Sequence, residues 1–420
     1  MRPEDVDAIL AQLRSVQEMF AMGVGIVAPW RVTDVAMVGR ELEVHVDLID
    51  GAITLACPKC QVPSPVYDRG PERRWRTLDY YMFKSFLVAR PVRVRCADHG
   101  VHRAEVPWAQ AGSHFNYHFQ ALVMSKARNA PMAVVARELR EHDTRLWRVV
   151  IHHVNDSLGR LDLGGVRRIG VDDKSYQVGQ KYLTVVADLD AARVIFVTVG
   201  RDGDTLRRFR DHLIEHGGDP AAITQLSQDM SEAYASGARK YFPDATVVFD
   251  HFHVIKLMGE VVDKVRRQEQ HEQGILRGTR YIWLKNATNL TQKQLTNLTD
   301  LSKQNLRTVR AYKARLDLQD IYTEFDVAVA DKLLRRWYYR ATHSRLEPLK
   351  TFAYTVADHW HGILAFFTSR TTNGLLEGLN SLIQATKAKA RGYRTADALK
   401  SIVYLIGSAL VFNLPTLYSE

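Results

Sequence analysis

Three acidic residues stand where a cation-dependent reaction would need them. Asp172 lies in the strand-like run RRIGVDDKSY, Asp229 closes ITQLSQD, and Glu377 sits in the helical stretch TTNGLLEGLNSLI. A carboxylate at the end of a buried strand is costly to keep charged unless a cation or hydrogen bonds compensate it. Three converging carboxylates would hold divalent metal, with magnesium (or manganese) the expected ion. Beside a basic surface, such a metal site suits phosphodiester chemistry: one ion activates a nucleophile and its neighbour steadies the leaving oxygen. Side chains alternate along a strand, so Asp172 and Asp173 face opposite sides and only one can reach a metal held against the sheet. Asp172 is the expected ligand and Asp173 the alternative. Asn373 and Asn380 precede and follow Glu377 by four and three residues, on roughly one helix face. Asp250 and His253 in VVFDHFH form a further set at the end of a fifth strand. There His253 is expected to orient a catalytic carboxylate, with Asp250 as the runner-up acid.

A second constellation is built from softer ligands. Cys57-Pro-Lys-Cys60 and Cys96-Ala-Asp-His99 use all 3 cysteines of the chain. Two short-spaced pairs of this kind complete a tetrahedral zinc site, each forming a knuckle at a β-turn. His102 competes with His99 for the fourth position. A closed four-ligand site stabilises a fold and does not catalyse. So few cysteines argue against a disulfide framework and for a reducing compartment.

These residues need elements to hold them. Residues 1–50 read as an amphipathic helix followed by alternating strands WRVTDVAMV and ELEVHVDLI, and 51–110 as the zinc-binding module. Between 111 and 160 the pattern is helical in three pieces, YHFQALVMSKAR, PMAVVARELR opened by Pro131, and TRLWRVVIHHVND capped by Asp143. This is a helix-turn-helix whose third helix carries Arg145 and Arg148, well suited to phosphate and guanine contacts with double-stranded DNA. The block 161–256 alternates strands and helices as one mixed sheet flanked by helices. Residues 257–370 read as an all-α insertion, and 371–420 return to the core with the Glu377 helix. Lys387, Lys389, Arg391 and Arg394 follow as a basic segment.

Composition agrees with a polyanionic partner. Lysines and arginines number 57 against 47 acids, so the net charge is 57 − 47 = +10. Hydrophobic content of 46% and charged content of 25% are those of a soluble globular protein. The N-terminal stretch carries early acids and does not read as a secretory signal, and no run is apolar enough for a membrane span.

The ordered motifs CPKC with CADH, GVDDKSY, KYLTVVADLD, VTVGRDGDTL, SQDMSEAY, VVFDHFHVIK and TNGLLEGLNSLIQATKAKARGY resemble the insertion-sequence transposases of the ISL-three type. The resemblance covers nearly the whole chain. It implies a ribonuclease H-like mixed sheet, interrupted by the all-α insertion and preceded by the zinc module and helix-turn-helix. It also implies that Asp172, Asp229 and Glu377 are the catalytic acids. Such enzymes cut DNA at element ends and join the freed 3′-hydroxyls to target DNA. The implied partners are terminal inverted repeats, target DNA and a second copy of the chain or a larger synaptic assembly, in the bacterial cytoplasm on the nucleoid. Asp173 stands where the family often has Glu, and His99 where many members place Cys. Two other functions compete: a catalytically inactive DNA-binding regulator, and a nuclease of similar fold that does not join.

Overall fold

The computed structural model describes residues 16–177, 181–285, 287–371 and 374–416. The chain forms two compact units, Met1–His153 with Val411–Glu420, and Val154–Leu410.

In the first unit a short helix α1 (Val16–Val24) precedes strands β1 (Trp30–Val38), β2 (Glu41–Leu48), β3 (Thr54–Ala56), β4 (Pro63–Arg69), β5 (Arg73–Tyr80), β6 (Phe83–Ala89), β7 (Val92–Cys96) and β8 (Gly100–Arg103). They make two sheets, ordered β1-β2-β6-β5 and β3-β4-β7-β8. The two strands read from 30–48 therefore share a sheet with β5 and β6, which come from inside the stretch read as the zinc module. Such nonlocal pairing leaves no local sequence signal. The alternation of β2 turns Leu42, Val44, Val46 and Leu48 inward. They pack around Trp30, Trp75 and Trp108, whose rings meet edge-on at 5.1 and 5.5 Å.

Three helices follow, α2 (Tyr117–Asn129), α3 (Met132–Leu139) and α4 (Asp143–Leu158). Asn116 caps α2, its side chain accepting the Phe119 N–H at 2.9 Å. Pro131 stands at the α3 N-cap, and Arg140 ends α3 in the left-handed region at φ +54°. Asp143 was expected as a cap but lies inside the first turn of α4, where a negative charge still meets the positive helix end.

The second unit opens with an antiparallel meander, β9 (Arg168–Gln177), β10 (Lys181–Asp188) and β11 (Arg193–Val199). Helix α5 (Gly203–Glu215), strand β12 (Gln225–Gln228), helix α6 (Glu232–Tyr241) and strand β13 (Thr246–Phe249) complete a sheet ordered β11-β10-β9-β12-β13. β12 runs parallel to both β9 and β13. Ile169, Val171, Val186 and Leu226 pack one sheet face against Leu206, Phe209 and Leu213 of α5 and Tyr234 and Ala238 of α6.

Helices α7 (His251–Gln270), α8 (Arg280–Leu284), α9 (Gln292–Ser302), α10 (Arg307–Ile321), α11 (Val327–Thr342), α12 (Glu347–Asp358) and α13 (Trp360–Ser369) then build a core around Trp283, Trp337 and Phe352 that also takes in Val248 and Phe249 of β13. The buried Glu269 carboxylate holds the start of α10, accepting the Arg307 and Thr308 amides at 2.7 and 2.8 Å. Helices α14 (Gly374–Lys389) and α15 (Ala396–Gly407) end the unit. The Tyr404 hydroxyl of α15 accepts the Val197 amide of β11 at 2.8 Å, fixing α15 against the sheet.

Two boundaries differ from the sequence-based expectation. The fifth strand stops at Phe249, so Asp250, His251 and His253 are not strand residues. Asp250 is the N-cap of α7, accepting the Phe252 amide, and both histidines sit in the first turn. The helical stretch therefore starts at residue 251, before the expected 257. No helix among the described residues is long and apolar enough to cross a membrane.

Helix α13 crosses β13 closely because residue 362 is glycine. A Cβ there would collide with the Phe249 ring and lie 3.2 Å from the Val247 carbonyl oxygen. Gly362→Ala should destabilise by about 1–3 kcal/mol through overpacking, lowering the melting midpoint by several degrees. An unchanged calorimetric midpoint would contradict this packing.

Candidate active site

β9 runs between β10 and β12; β12 pairs with its first residues as far as Gly170, so Asp172 lies just past the paired end of β12. Ile169 and Val171 turn toward α5 and α6, and alternation sends Asp172 to the opposite face. There Asp172 is buried, with 4% of its surface exposed. Its carboxylate accepts the side-chain amide of Asn380 from α14, the Lys174 ammonium at 3.1 Å and the Asp173 backbone amide at 2.7 Å.

Asp229 follows β12 directly, and the parallel pairing of β12 with β9 carries it beside Asp172. Its Oδ1 accepts the Ser231 amide at 3.0 Å. Burial pushes the Asp229 carboxyl above the usual carboxylate range, and the charge of Asp172 adds to that push, while the Ser231 amide and His253 oppose it. Asp173, on the α5 and α6 side, is pushed up to about 6, foremost by burial. Arg201 lowers it, with Nε 3.5 Å away, and the charges of Asp229 and Asp172 raise it further. Three carboxyls thus crowd one end of the sheet and repel one another, a field that a bound cation would relieve.

Helix α14 supplies the remaining groups. Asn380 is buried, and its Oδ1 has no partner among the described residues; neither amide atom of the fully buried Gln228, next to Asp229, has one either. Glu377 lies one turn before Asn380, exposed, and its charge is felt by His251. Its oxygens do not join those of Asp172 and Asp229 in a group lying within 4.8 Å of one another. Asn373 lies outside the described residues. Asp250 is fully buried and accepts the His253 Nδ1–H at 3.1 Å. That bond raises the His253 pKa despite burial, and the charges of Asp172 and Asp229 act in the same direction. The carboxylate therefore orients the histidine beside the acid pair.

Lys174, Arg201 and Gln228 were not singled out from the sequence. Lys174 could have been, because it stands two residues after Asp172 and so on the same face of the strand. Arg201 and Gln228 carry no comparable signal.

The four soft ligands do meet. Cys57 and Cys60 lie in the turn between β3 and β4, Cys96 ends β7, and His99 is in the turn before β8. One donor atom from each lies within 4.8 Å of all the others. Cys60 Sγ is 3.7 Å from Cys96 Sγ, which is 3.6 Å from His99 Nδ1. Those are the edges of a tetrahedron drawn with Zn–S near ~2.3 Å and Zn–N near ~2.0 Å. The His99 contact foremost lowers the Cys96 thiol to about 6, toward the thiolate a metal binds. His102 turns away, its Nε2 bonding the His99 carbonyl oxygen at 2.6 Å.

Of the expected DNA contacts, Arg148 is exposed on α4. Arg145 is half-buried, pairing with Glu141 at 2.5 Å and stacking 4.6 Å over Phe115. Lys389, Arg391 and Arg394 are exposed, whereas Lys387 donates to the Ser175 carbonyl oxygen at 3.1 Å.

Three family models match the chain in order. A zinc finger of transposases IS204/IS1001/IS1096/IS1165 matches residues 54–99, the helix-turn-helix domain of transposase family ISL3 matches 104–154, and the DDE transposase model of ISL3 matches 169–403. The chain belongs to the ISL3 transposase family. It is 29% identical over 397 residues to the transposase for insertion sequence element IS1557 of Mycobacterium tuberculosis, covering 87% of this chain and 88% of that one. It is 27% identical over 370 residues to the transposase for element IS1001 of Bordetella parapertussis, covering 86% and 90%. The zinc-finger match of this ISL3 transposase brackets all four soft ligands. The transposase match runs from β9 into α15 and so spans Asp172, Asp229, the helices between them and Glu377.

Proposed function

We propose that this ISL3 transposase binds the terminal repeats of its element and performs metal-dependent cleavage and strand transfer, with Asp172, Asp229 and Glu377 as the catalytic acids. The observation that carries it is the meeting of two mutually repelling carboxylates, the buried Asp172 of β9 and the half-buried Asp229 just past the end of the parallel strand β12, with Asn380 of the Glu377 helix bonded to Asp172. The crowded charge and the unpartnered Asn380 Oδ1 fit a divalent cation. Magnesium held there supplies Lewis-acid activation of the attacking oxygen and charge neutralisation at the leaving one.

The chain's own groups do the rest. Asn380 fixes the Asp172 carboxylate, Lys174 shares its charge, and Asp250 holds His253 toward the acid pair. Asp173 is the alternative ligand, kept off the Asp172 face by strand alternation. Arg145 and Arg148 of α4 meet repeat DNA, and Lys387, Lys389, Arg391 and Arg394 follow phosphates near the acids.

In this account 161–256 and 371–420 form a ribonuclease H-like core, 257–370 an all-α insertion, 1–50 and 51–110 the N-terminal strands and zinc module, and 111–160 the DNA-reading helices. Joining two element ends calls for a homodimer or larger synaptic assembly, at work on the nucleoid in the bacterial cytoplasm.

Purified protein incubated with labelled element-end DNA, target DNA and magnesium should yield joined products. Cleavage without joining would favour a nuclease, and binding alone a regulator. Asn380→Ala should slow cleavage by about 10- to 100-fold and raise the magnesium concentration required, with Asn380→Gln recovering part of the loss. Full activity at unchanged magnesium would remove Asn380 from the site.

A further inference from the structure

We propose that His212, Glu215 and His216 form a second transition-metal site, separate from both the zinc cluster and the carboxylates. The sequence HLIEH puts the three side chains at positions i, i+3 and i+4 of the last turn and cap of α5, on one helix face. One ligand atom from each lies within 4.8 Å of the other two, and the two imidazole centroids are 4.3 Å apart.

Each ring is already tied down by its other side. His212 Nε2 is 3.2 Å from the Ile195 carbonyl oxygen of β11, and His216 Nδ1 is 3.0 Å from that of Leu161. A carbonyl oxygen only accepts, so these nitrogens carry the hydrogens. The lone pairs therefore fall on His212 Nδ1 and His216 Nε2, the atoms a metal would take. Metal-ligating histidines characteristically donate their second nitrogen to a carbonyl or carboxylate, which sets tautomer and ring orientation. Phe196 fixes the His212 ring further, its centroid 5.0 Å away.

The site stands at the negative end of the α5 dipole, which favours a cation. Both rings are half-buried and Glu215 is exposed, leaving an approach from solvent.

Two imidazoles and one carboxylate select zinc over magnesium or calcium, and three protein ligands leave a fourth position open to water or another side chain. α5 covers the sheet face opposite Asp172, so the two metal sites share no ligand.

The test uses the full-length protein with its cysteine cluster loaded with zinc. After equilibration with excess zinc and gel filtration, metal content by mass spectrometry should exceed the single ion of the cysteine cluster by about one per chain. Glu215→Gln and His216→Gln should each lose that extra ion, their apparent zinc affinity falling by at least the roughly tenfold that disturbing a ligand's surroundings causes. Asp172→Asn should retain it. Cobalt bound at the extra site should give weak visible bands without thiolate-to-metal charge-transfer absorption, which separates it from the cysteine cluster. Equal metal content in wild type and Glu215→Gln, or loss of the extra ion in Asp172→Asn instead, overturns the proposal. Glu215 is exposed, so its variant keeps the test valid if His216→Gln fails to fold.

Discussion

Asp172→Asn or Asp229→Asn is expected to lower cleavage of element-end DNA by on the order of a thousandfold or more, equal to about 4 kcal/mol of lost transition-state stabilisation. Binding of the same DNA should survive. Asparagine keeps the volume of each side chain and removes the charge. At Asp229 that charge is unfavourable in the folded protein, because burial and, to a smaller extent, the charge of Asp172 push its carboxyl above the normal range. Asp229→Asn should therefore leave the unit at least as stable as before, with an equal or higher melting midpoint, while activity collapses. A variant that lost activity by unfolding would show the opposite melting shift. Activity within tenfold of wild type for both variants would mean that these acids do not hold the reactive cation.

Removing zinc from Cys57, Cys60, Cys96 and His99 should have the largest structural effect. Structural zinc binds small modules with about 10–16 kcal/mol of apparent free energy, comparable with the entire stability of a typical domain at about 5–15 kcal/mol. β3 has only three residues and β8 four, and the sheet they edge adds only Val92, Leu55 and Val66 to the tryptophan cluster. Cys57→Ser, or treatment with a strong chelator, should open residues 54–103 to limited proteolysis and weaken binding to element ends. The β9–β13 unit should keep its own melting transition. An unchanged proteolytic pattern after zinc loss would show that the cluster is dispensable for folding.

Much of this arrangement was legible in the sequence, because the governing signals are local. Alternation marked the strands that became β1 and β2, β-rich runs marked those that became β9, β10 and β11, and Pro131 marked the start of α3. The pairing of Cys57 and Cys60 with Cys96 and His99 followed from ligand chemistry and spacing. What escaped was nonlocal or ambiguous. Nothing in β5 and β6 reveals that they extend the sheet of β1 and β2, with β6 pairing parallel to β2 and β5 antiparallel to β6, since such pairing is set by chain path far away in sequence. In DHFH an aspartate after an apolar strand has the same signature whether it ends the strand or caps the next helix, and the helix won. The juxtaposition of β9 and β12 rested on family likeness, and the parallel register gives it a physical basis. HLIEH shows the opposite failure. Its i, i+3, i+4 spacing was readable and went unnoticed, because the two backbone carbonyls that orient its rings come from β11 and from the stretch before β9.

The central claim, that Asp172, Asp229 and Glu377 hold cations together, is tested most directly by anomalous scattering from manganese in crystals of the protein bound to element-end DNA. The account predicts a manganese peak at bonding distance, about 2.0–2.2 Å, from oxygens of Asp172 and Asp229, with Glu377 drawn in from the first turn of α14 to complete the coordination. A peak with Glu377 left in solvent, or no manganese at Asp172 and Asp229 at all, would contradict it.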